Sequence, residues 1–426
     1  MTQVADRLSP PAVQEHGPAL LQPLRDRDFR LLFGGETISV VGDHFHFVAL
    51  AWLTLQLTGS GLALGTVLMT AAVPRAAFML LGGALSDRFS PRSLMLGSNA
   101  IRAVVMAIIA VLVLTGNAEL WQLYLLAGVF GIVDAAFYPA INTIMPMLVA
   151  EPRLPAANAL VQGSQQLAGL IGPALAGLLV AAVQTGPAFV IDAVSFSVAA
   201  LALLLIRGGR RAAATEAATS SQSMLQTIGS GLRYAWSDPA IRTLVVLTAA
   251  LNFAFEGPVS VGLPWLANNR FDGGPAAFGF ILSAFGAGAL LGAVLAGSVR
   301  SVPKLGAVVL SIAVLLGIGL GLIGMAPSVP VVLAIVAPMG ILIGFVNVQV
   351  IAWIQSRGAE SMRGRVMSLV LLGSVGLAPV SLAATGVLLD LGAASLTFAF
   401  AGAICVAAAF AGFVWGLPAR MQAAAD

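Results

Sequence analysis

Charge is scarce in this chain. Of its 426 residues only 9% are Asp, Glu, Lys or Arg, where a soluble domain carries about 25%, so a water-facing surface cannot be built from it and a soluble globular protein is excluded. Cysteine is scarcer still. Cys405 is the only one and stands in an apolar run, which excludes a disulfide framework within the chain and a cysteine-based metal site. There is no G-x-x-x-x-G-K-[ST] loop and no soluble stretch large enough to hold one, so no sequence feature supports ATP hydrolysis. No H-E-x-x-H pair supports an intramembrane enzyme. The chain is read as no enzyme, with no metal site and no cofactor. The first residues stay polar to about Arg30 and lack an apolar core followed by a small-residue cleavage site. A removable signal peptide is therefore not expected, and the first spanning helix serves as the targeting signal.

What the chain has instead is apolar length. Hydrophobic residues make up 59% and the mean hydropathy is +0.97. The 47 glycines and 22 prolines fit spanning helices, which tolerate both and pack closely through small residues. A helix needs about 20 apolar residues to cross a bilayer core. Such segments lie at 31–57, 61–85, 94–115, 120–149, 155–183 and 187–206, and again at 241–266, 276–299, 305–326, 329–354, 366–389 and 393–417. The spacing thus predicts an all-α integral membrane protein of twelve transmembrane helices in two pseudo-symmetric six-helix bundles. Residues 1–30 form an N-terminal tail, 31–206 the first bundle, 207–240 a polar linker, 241–417 the second bundle and 418–426 a C-terminal tail. With the N-terminus inside, all but three of the 21 basic residues fall in cytoplasmic segments. The exceptions are Arg270, outside, and Arg75 and Arg102, embedded. The net charge of +3 is then positive-inside bias, not a nucleic-acid surface. Both termini are expected in the cytoplasm of a cell whose inner membrane the chain crosses.

An internal repeat agrees with this layout. Leu64-Gly65 and Phe278-Gly279 open similar stretches at an offset that also carries Gly83 onto Gly297, and Gly172-Pro173 corresponds to Ala378-Pro379. Repeats of this kind are the mark of pseudo-symmetric transporters.

The loop after the second span reads Gly83-Ala84-Leu85-Ser86-Asp87-Arg88-Phe89-Ser90-Pro91-Arg92. It resembles the major facilitator signature G-x-L-x-D-R-x-x-x-R/K at Gly83, Leu85, Asp87, Arg88 and Arg92. Asp87 can face a helix N-terminus or an arginine as a charge–dipole latch; the bland alternative is a basic loop that only sets topology. The matching loop of the second half, Arg300 to Lys304, has no acid. In the fifth span Gly172-Pro173-Ala174-Leu175-Ala176-Gly177 looks like the G-P-x-x-G-G core of the superfamily's antiporter motif, departing at Ala176. Proline permits a bend and glycine a close approach, although ordinary small-residue packing would look the same. Phe29 to Glu36, Val41-Gly42-Asp43 and Ala49 to Leu53 resemble the macrolide-efflux and enterobactin-exporter-like branch. So do Pro74-Arg75, Ser98 to Arg102, Asn158-Ala159-Leu160 and Arg363 to Ser368. The arginine that many drug antiporters carry early in the fourth span is missing from Leu123 to Gly128.

A charge at mid-bilayer costs about 2.5–3.5 kcal/mol, so embedded charges are functional candidates. Asp43, Arg75, Asp134 and Glu256 fall near mid-depth. Glu36 shares a helix face with Asp43, seven residues away, and His46, three residues past Asp43, is placed to hydrogen-bond it, whereas His44 points about 100° away. Asn252 and Glu256 share a face just before the break at Gly257-Pro258. A carboxyl removed from water favours its neutral form, which suits proton uptake and release, and a neighbouring arginine opposes this. Static Asp43–Arg75 or Asp134–Arg102 pairs are the structural alternative. Glu256 has no embedded arginine in its own bundle, and Asp192 is expected near the outer end of its span, reaching water.

The resemblance implies proton-driven export of amphipathic small molecules (drug, macrolide or siderophore-like) by alternating access. The expected partners are a small-molecule substrate, protons and the lipid bilayer, without nucleic acid, and the expected state is a monomer. A lipid flippase or nutrient importer of the same fold, or a non-transporting receptor, are the alternatives. If the Asp87 latch operates, Asp87→Asn lowers transport several-fold in cells or vesicles while membrane insertion stays intact; normal transport would remove the latch from the mechanism.

Overall fold

Backbone inside hydrocarbon has no water to bond, so it must satisfy its own N–H and C=O groups. A computed structural model describes residues 19–86, 90–207, 236, 238–271, 273–299, 302–357 and 376–422, and among these the regular structure is helix with no strand. The first six spans are α1 (Arg27–Thr58), α2 (Gly61–Ser86), α3 (Pro91–Leu114), α4 (Leu120–Leu148), α5 (Leu154–Val183) and α6 (Gly186–Leu205). The next set comprises α7 (Pro239–Asn269), α8 (Gly274–Ser298), α9 (Leu305–Met325), α10 (Val329–Arg357), α11 (Ala378–Asp390) and α12 (Ala394–Val414). Eleven of these are long and apolar enough to cross a membrane. The twelfth, α11, has 13 described residues. The stretch 358–375, which holds the start of the span expected at 366–389, lies outside the described residues, as do the tail before residue 19 and most of the linker. Pro379 sits in the first turn of α11, after a turn at residues 376 and 377, and not in mid-helix as its match to Pro173 suggests.

Within the first six helices, α1 packs on α5 and α6, α2 on α4, and α3 on α4 and α6. Among the others, α8 packs on α10, α9 on α12, and α7 on α11 and α12. Large apolar side chains such as Val104, Val111, Leu201, Leu204, Val294 and Phe410 stand exposed on the outside, a surface that only lipid can cover. One end of the bundle, the terminal face, gathers the starts of α1 and α7 and the ends of α6 and α12. There Arg27 Nη1 donates to the Leu205 carbonyl at 3.0 Å and Arg420 Nη1 to that of Pro239 at 3.3 Å.

The two sets of helices meet along α5–α8 and α2–α11, toward the opposite, distal face. The meeting is backbone to backbone. A side chain on Gly65 would strike the Leu382 carbonyl, and one on Gly279 would lie 3.0 Å from the Gly177 Cα and strike the Pro173 carbonyl. The repeat that pairs Gly65 with Gly279 is thus the repeat of these two crossings. The Ser283 hydroxyl accepts from Ala174 N–H at 2.9 Å, and the Phe47 and Phe278 rings lie 6.2 Å apart. At the distal end of α11, Asp390 caps α2: its Oδ2 accepts from Ser60 Oγ at 2.5 Å and its Oδ1 from Gly61 N–H at 2.6 Å. A carboxylate there satisfies an orphan N–H and meets the positive end of the helix. Loss of such a cap costs about 1 kcal/mol, a roughly five-fold change in an equilibrium. Asp390→Ala is therefore expected to raise the rate at which a thiol reagent labels Phe47→Cys, in a Cys405→Ala background, by about that factor. Unchanged labelling would show that the Asp390 cap does not hold the distal face closed.

Candidate functional site

Along α1 the polar residues Glu36, Asp43 and His46 face inward, and their partners come from α3, α4 and α6. Arg102 of α3 is 3% exposed. Its Nη2 donates to Asp134 Oδ1, while Arg75 Nε of α2 lies 2.9 Å from Asp134 Oδ2. One carboxylate thus holds two guanidinium groups. The Arg102 guanidinium is also walled by the rings of Phe137, Phe130 and Phe196, whose centroids lie 4.6, 5.3 and 5.4 Å from its Cζ, and such faces favour a cation. Glu36, 8% exposed, lies beside Asn99 and within electrostatic reach of Arg102 and Asp43.

Three expectations are corrected here. Asp43 does not pair with Arg75, which Asp134 has taken. His46 does not turn to Asp43 for its ion pair: its Nδ1 lies 3.0 Å from Oδ2 of Asp192 on α6. Asp192 is not at a wet helix end but fully buried. Depth counted from a helix end misleads because α1 has 32 residues and α6 only 20. Gly42 lets α6 in, since a side chain there would lie 2.5 Å from Asp192 Oδ1 and strike Ser195 Oγ. Asp43, His46 and Asp192 bring their ligating atoms within 4.8 Å of one another. The three-residue spacing of Asp43 and His46 carried a hint of this; the distant partner on α6 and the phenylalanine wall carried none.

Counted together, Glu36, Asp43, Asp134 and Asp192 outnumber Arg75 and Arg102 by two, and a charged His46 still leaves one carboxyl over. Protein interior disfavours uncompensated charge, so the excess calls for protons or for another cation.

The later helices hold a cavity of about 370 Å³ lined by α7, α8, α9 and α10. Leucine, valine, isoleucine, phenylalanine and methionine form most of its wall, and Thr248, Asn252, Glu256 and Asn347 are its polar groups. Asn252 Nδ2 donates to the Thr248 carbonyl at 2.9 Å. Glu256 accepts from Ser260 Oγ at 3.3 Å and lies within electrostatic reach of Arg75, which crosses from the first set of helices. At Gly257-Pro258 the helix does not break open but passes through a π-helical turn, Pro258–Gly262. Ser381 of α11 enters the ladder, accepting from Gly257 N–H at 2.8 Å and donating to the Phe253 carbonyl at 2.5 Å. This is one of the recognised ways to re-satisfy a proline-interrupted helix.

Of the loop motif, Asp87 and Arg88 lie outside the described residues, as does the packing around Gly83 and Leu85. Arg92 binds the end of α6, donating to the carbonyls of Leu203 at 2.7 Å and Leu204 at 2.9 Å. In α5, Gly172 makes room for the His44 ring, which would lie 2.7 Å from a side chain there, and Pro173 and Gly177 form the crossing with α8.

The model of a major facilitator family described as a transmembrane secretion effector matches residues 19–426. The chain is similar to the multidrug efflux pump Tap of Mycolicibacterium fortuitum, 27% identical over 393 residues that cover 90% of this chain and 92% of that one. It is also similar to macrolide efflux protein A of Streptococcus pyogenes, 22% identical over 343 residues covering 80% and 84%. Among solved structures, a POT family transporter in complex with 5-aminolevulinic acid superposes with a TM-score of 0.71 at 14% identity, covering 91% of this chain and 96% of that one, which shows the fold.

Removing one partner of a buried ion pair costs about 3–5 kcal/mol because the other charge is stranded. Asp134→Asn strands Arg102, whereas Arg75, with 47% of its side chain exposed, can be rehydrated. Thermal melts of purified protein are expected to show a large loss of stability for Asp134→Asn and a small one for Arg75→Gln. The reverse order would mean that Arg102 draws its compensation from Glu36.

Proposed function

This chain belongs to the transmembrane secretion effector family of major facilitator transporters, and on that premise we propose that it exports amphipathic small molecules in exchange for protons by alternating access. The observation that carries the proposal is the cavity: about 370 Å³, apolar on most sides, with a single acid, Glu256, in its wall. Small-molecule pockets span roughly 300–1,000 Å³ and combine an apolar lining with a few placed polar groups. An organic solute with a cationic or hydrogen-bonding group fits such a wall, and the names of the relatives, multidrug and macrolide efflux, support that class.

Basic residues concentrate on the terminal face, so that face is assigned to the cytoplasm and both termini with it. The α5–α8 and α2–α11 contacts then close the outer side, and the Asp390 cap is an outer closure. Outward opening separates these crossings as the two sets of helices rock against each other.

Proton coupling is assigned to Glu256, which contacts the cavity and senses Arg75 of the opposite set. Arg75 is paired with Asp134, and rocking changes its distance from Glu256. Glu256→Gln keeps the volume and the neutral form of the side chain. It is expected to bind substrate and to sustain counterflow exchange, yet to lose proton-driven export by at least about ten-fold, the scale of one positioned proton-transfer group or more. In inverted vesicles wild-type accumulation is expected to collapse with a protonophore and to ignore ATP analogues. Export by Glu256→Gln at the wild-type rate across pH 6 to 8 would overturn the assignment, and accumulation that follows a sodium gradient would overturn proton coupling.

A further inference from the structure

We propose that Asp43, His46 and Asp192 bind a divalent transition-metal ion in the first six helices, a site apart from the drug cavity and independent of it. It departs from the expectation of no metal: its ligands are split between α1 and α6, so neither cysteine spacing nor a helical H-E-x-x-H pair marks it.

The donors converge. His46 Nδ1 and one carboxylate oxygen each of Asp43 and Asp192 lie within 4.8 Å of one another. His46 Nδ1 and Asp192 Oδ2 are 3.0 Å apart, yet neither has an aligned hydrogen-bond partner, although Asp192 is fully buried. Buried polar atoms are nearly always satisfied, and two left facing each other mark a place for something else. Their separation is that of neighbouring ligands on one ion: with metal–ligand bonds of about 2.0–2.2 Å, adjacent donors stand about 3.0–3.5 Å apart.

The rest of the arrangement supports a ligand set. Asp43 and His46 are one turn apart on α1 and face the same side. Ser195 Oγ lies 3.0 Å from Asp192 Oδ1, orienting the carboxylate while leaving Oδ2 toward the cluster, as outer groups orient metal ligands elsewhere. The Phe130 ring lies against the His46 ring, centroids 4.9 Å apart, and fixes its plane. His44, two residues earlier, is turned to Gly172 and takes no part. With neutral imidazole the trio carries two negative charges, matched by a divalent ion. Arg102 is the nearby opposing charge, and it is engaged by Asp134. One imidazole and two carboxylates suit zinc, iron, cobalt or nickel; an alkali ion would gain nothing from the nitrogen, and a soft ion lacks a thiolate. Three protein ligands leave a position for water or exchange, and Asp43 and His46 are only partly buried, so the cluster is not sealed. Both helices belong to one packed set, so the ligands keep their spacing while the two sets rock.

The test uses full-length protein, tag removed, carrying His16→Ala. Titration with Co²⁺ is followed by its visible absorption bands, with Zn²⁺ as competitor in calorimetry. One Co²⁺ per chain, displaced by Zn²⁺, is expected. His46→Gln and Asp192→Asn are each expected to raise the Kd at least about ten-fold, since even outer-group losses cost about 10–100-fold, whereas His44→Gln leaves it unchanged. Each variant is first checked for single-species elution and native helical content, and if Asp192→Asn does not fold, His46→Gln decides. No saturable Co²⁺ binding up to millimolar concentration, or equal binding by His46→Gln, overturns the site. Because binding is read without transport, failure here leaves the export reading untouched, and failure of export leaves this reading untouched.

Discussion

A guanidinium sealed from water must be neutralised and bonded where it stands, and Arg102 sets that demand for the first six helices. Asp134 answers it from α4 and is shared with Arg75 of α2. Three phenylalanines from α4 and α6 wall the charge, and Glu36 of α1 lies within its field. Four of the elements around α3 are thereby fixed with respect to one residue. The same demand explains why the polar groups of α1 line one side: turned outward they would face lipid.

The two sets of helices divide the work unequally. The first concentrates charge and spends its interior on pairing it. The second has an almost uncharged interior and leaves a cavity whose single acid looks across to Arg75. They touch backbone to backbone at the glycines, flanked by apolar side chains of one core that runs across both sets. Asp390 adds one directed contact to that surface.

Much of this was legible beforehand. Apolar length and the placement of Lys and Arg are one-dimensional signals, and the spans follow from them, as does the family resemblance from the loop and helix motifs. The candidates Arg102 and Asp134 could be found because an embedded charge is rare enough to stand out. Pairing is a different matter. His46 lies one turn from Asp43, and helical spacing favours that neighbour, but the partner at ion-pair distance comes from Asp192, which sequence depth had placed in water. Gly257-Pro258 reads as a break from local propensity, yet a serine 124 residues away repairs it. Pro379 was matched to Pro173 by repeat, although repeat similarity carries no information on where a helix starts.

Ser381 has a mechanical corollary. Its hydroxyl occupies a rung that would otherwise close within α7, so α7 and α11 share one hydrogen-bonded ladder for the length of a turn. Asp390 lies nine residues further along α11, roughly 13 Å at helical rise, and Glu256 is the immediate neighbour of the spliced amide. The two helices are therefore tied together beside the acid, and the far end of α11 carries the carboxylate that holds the tip of α2.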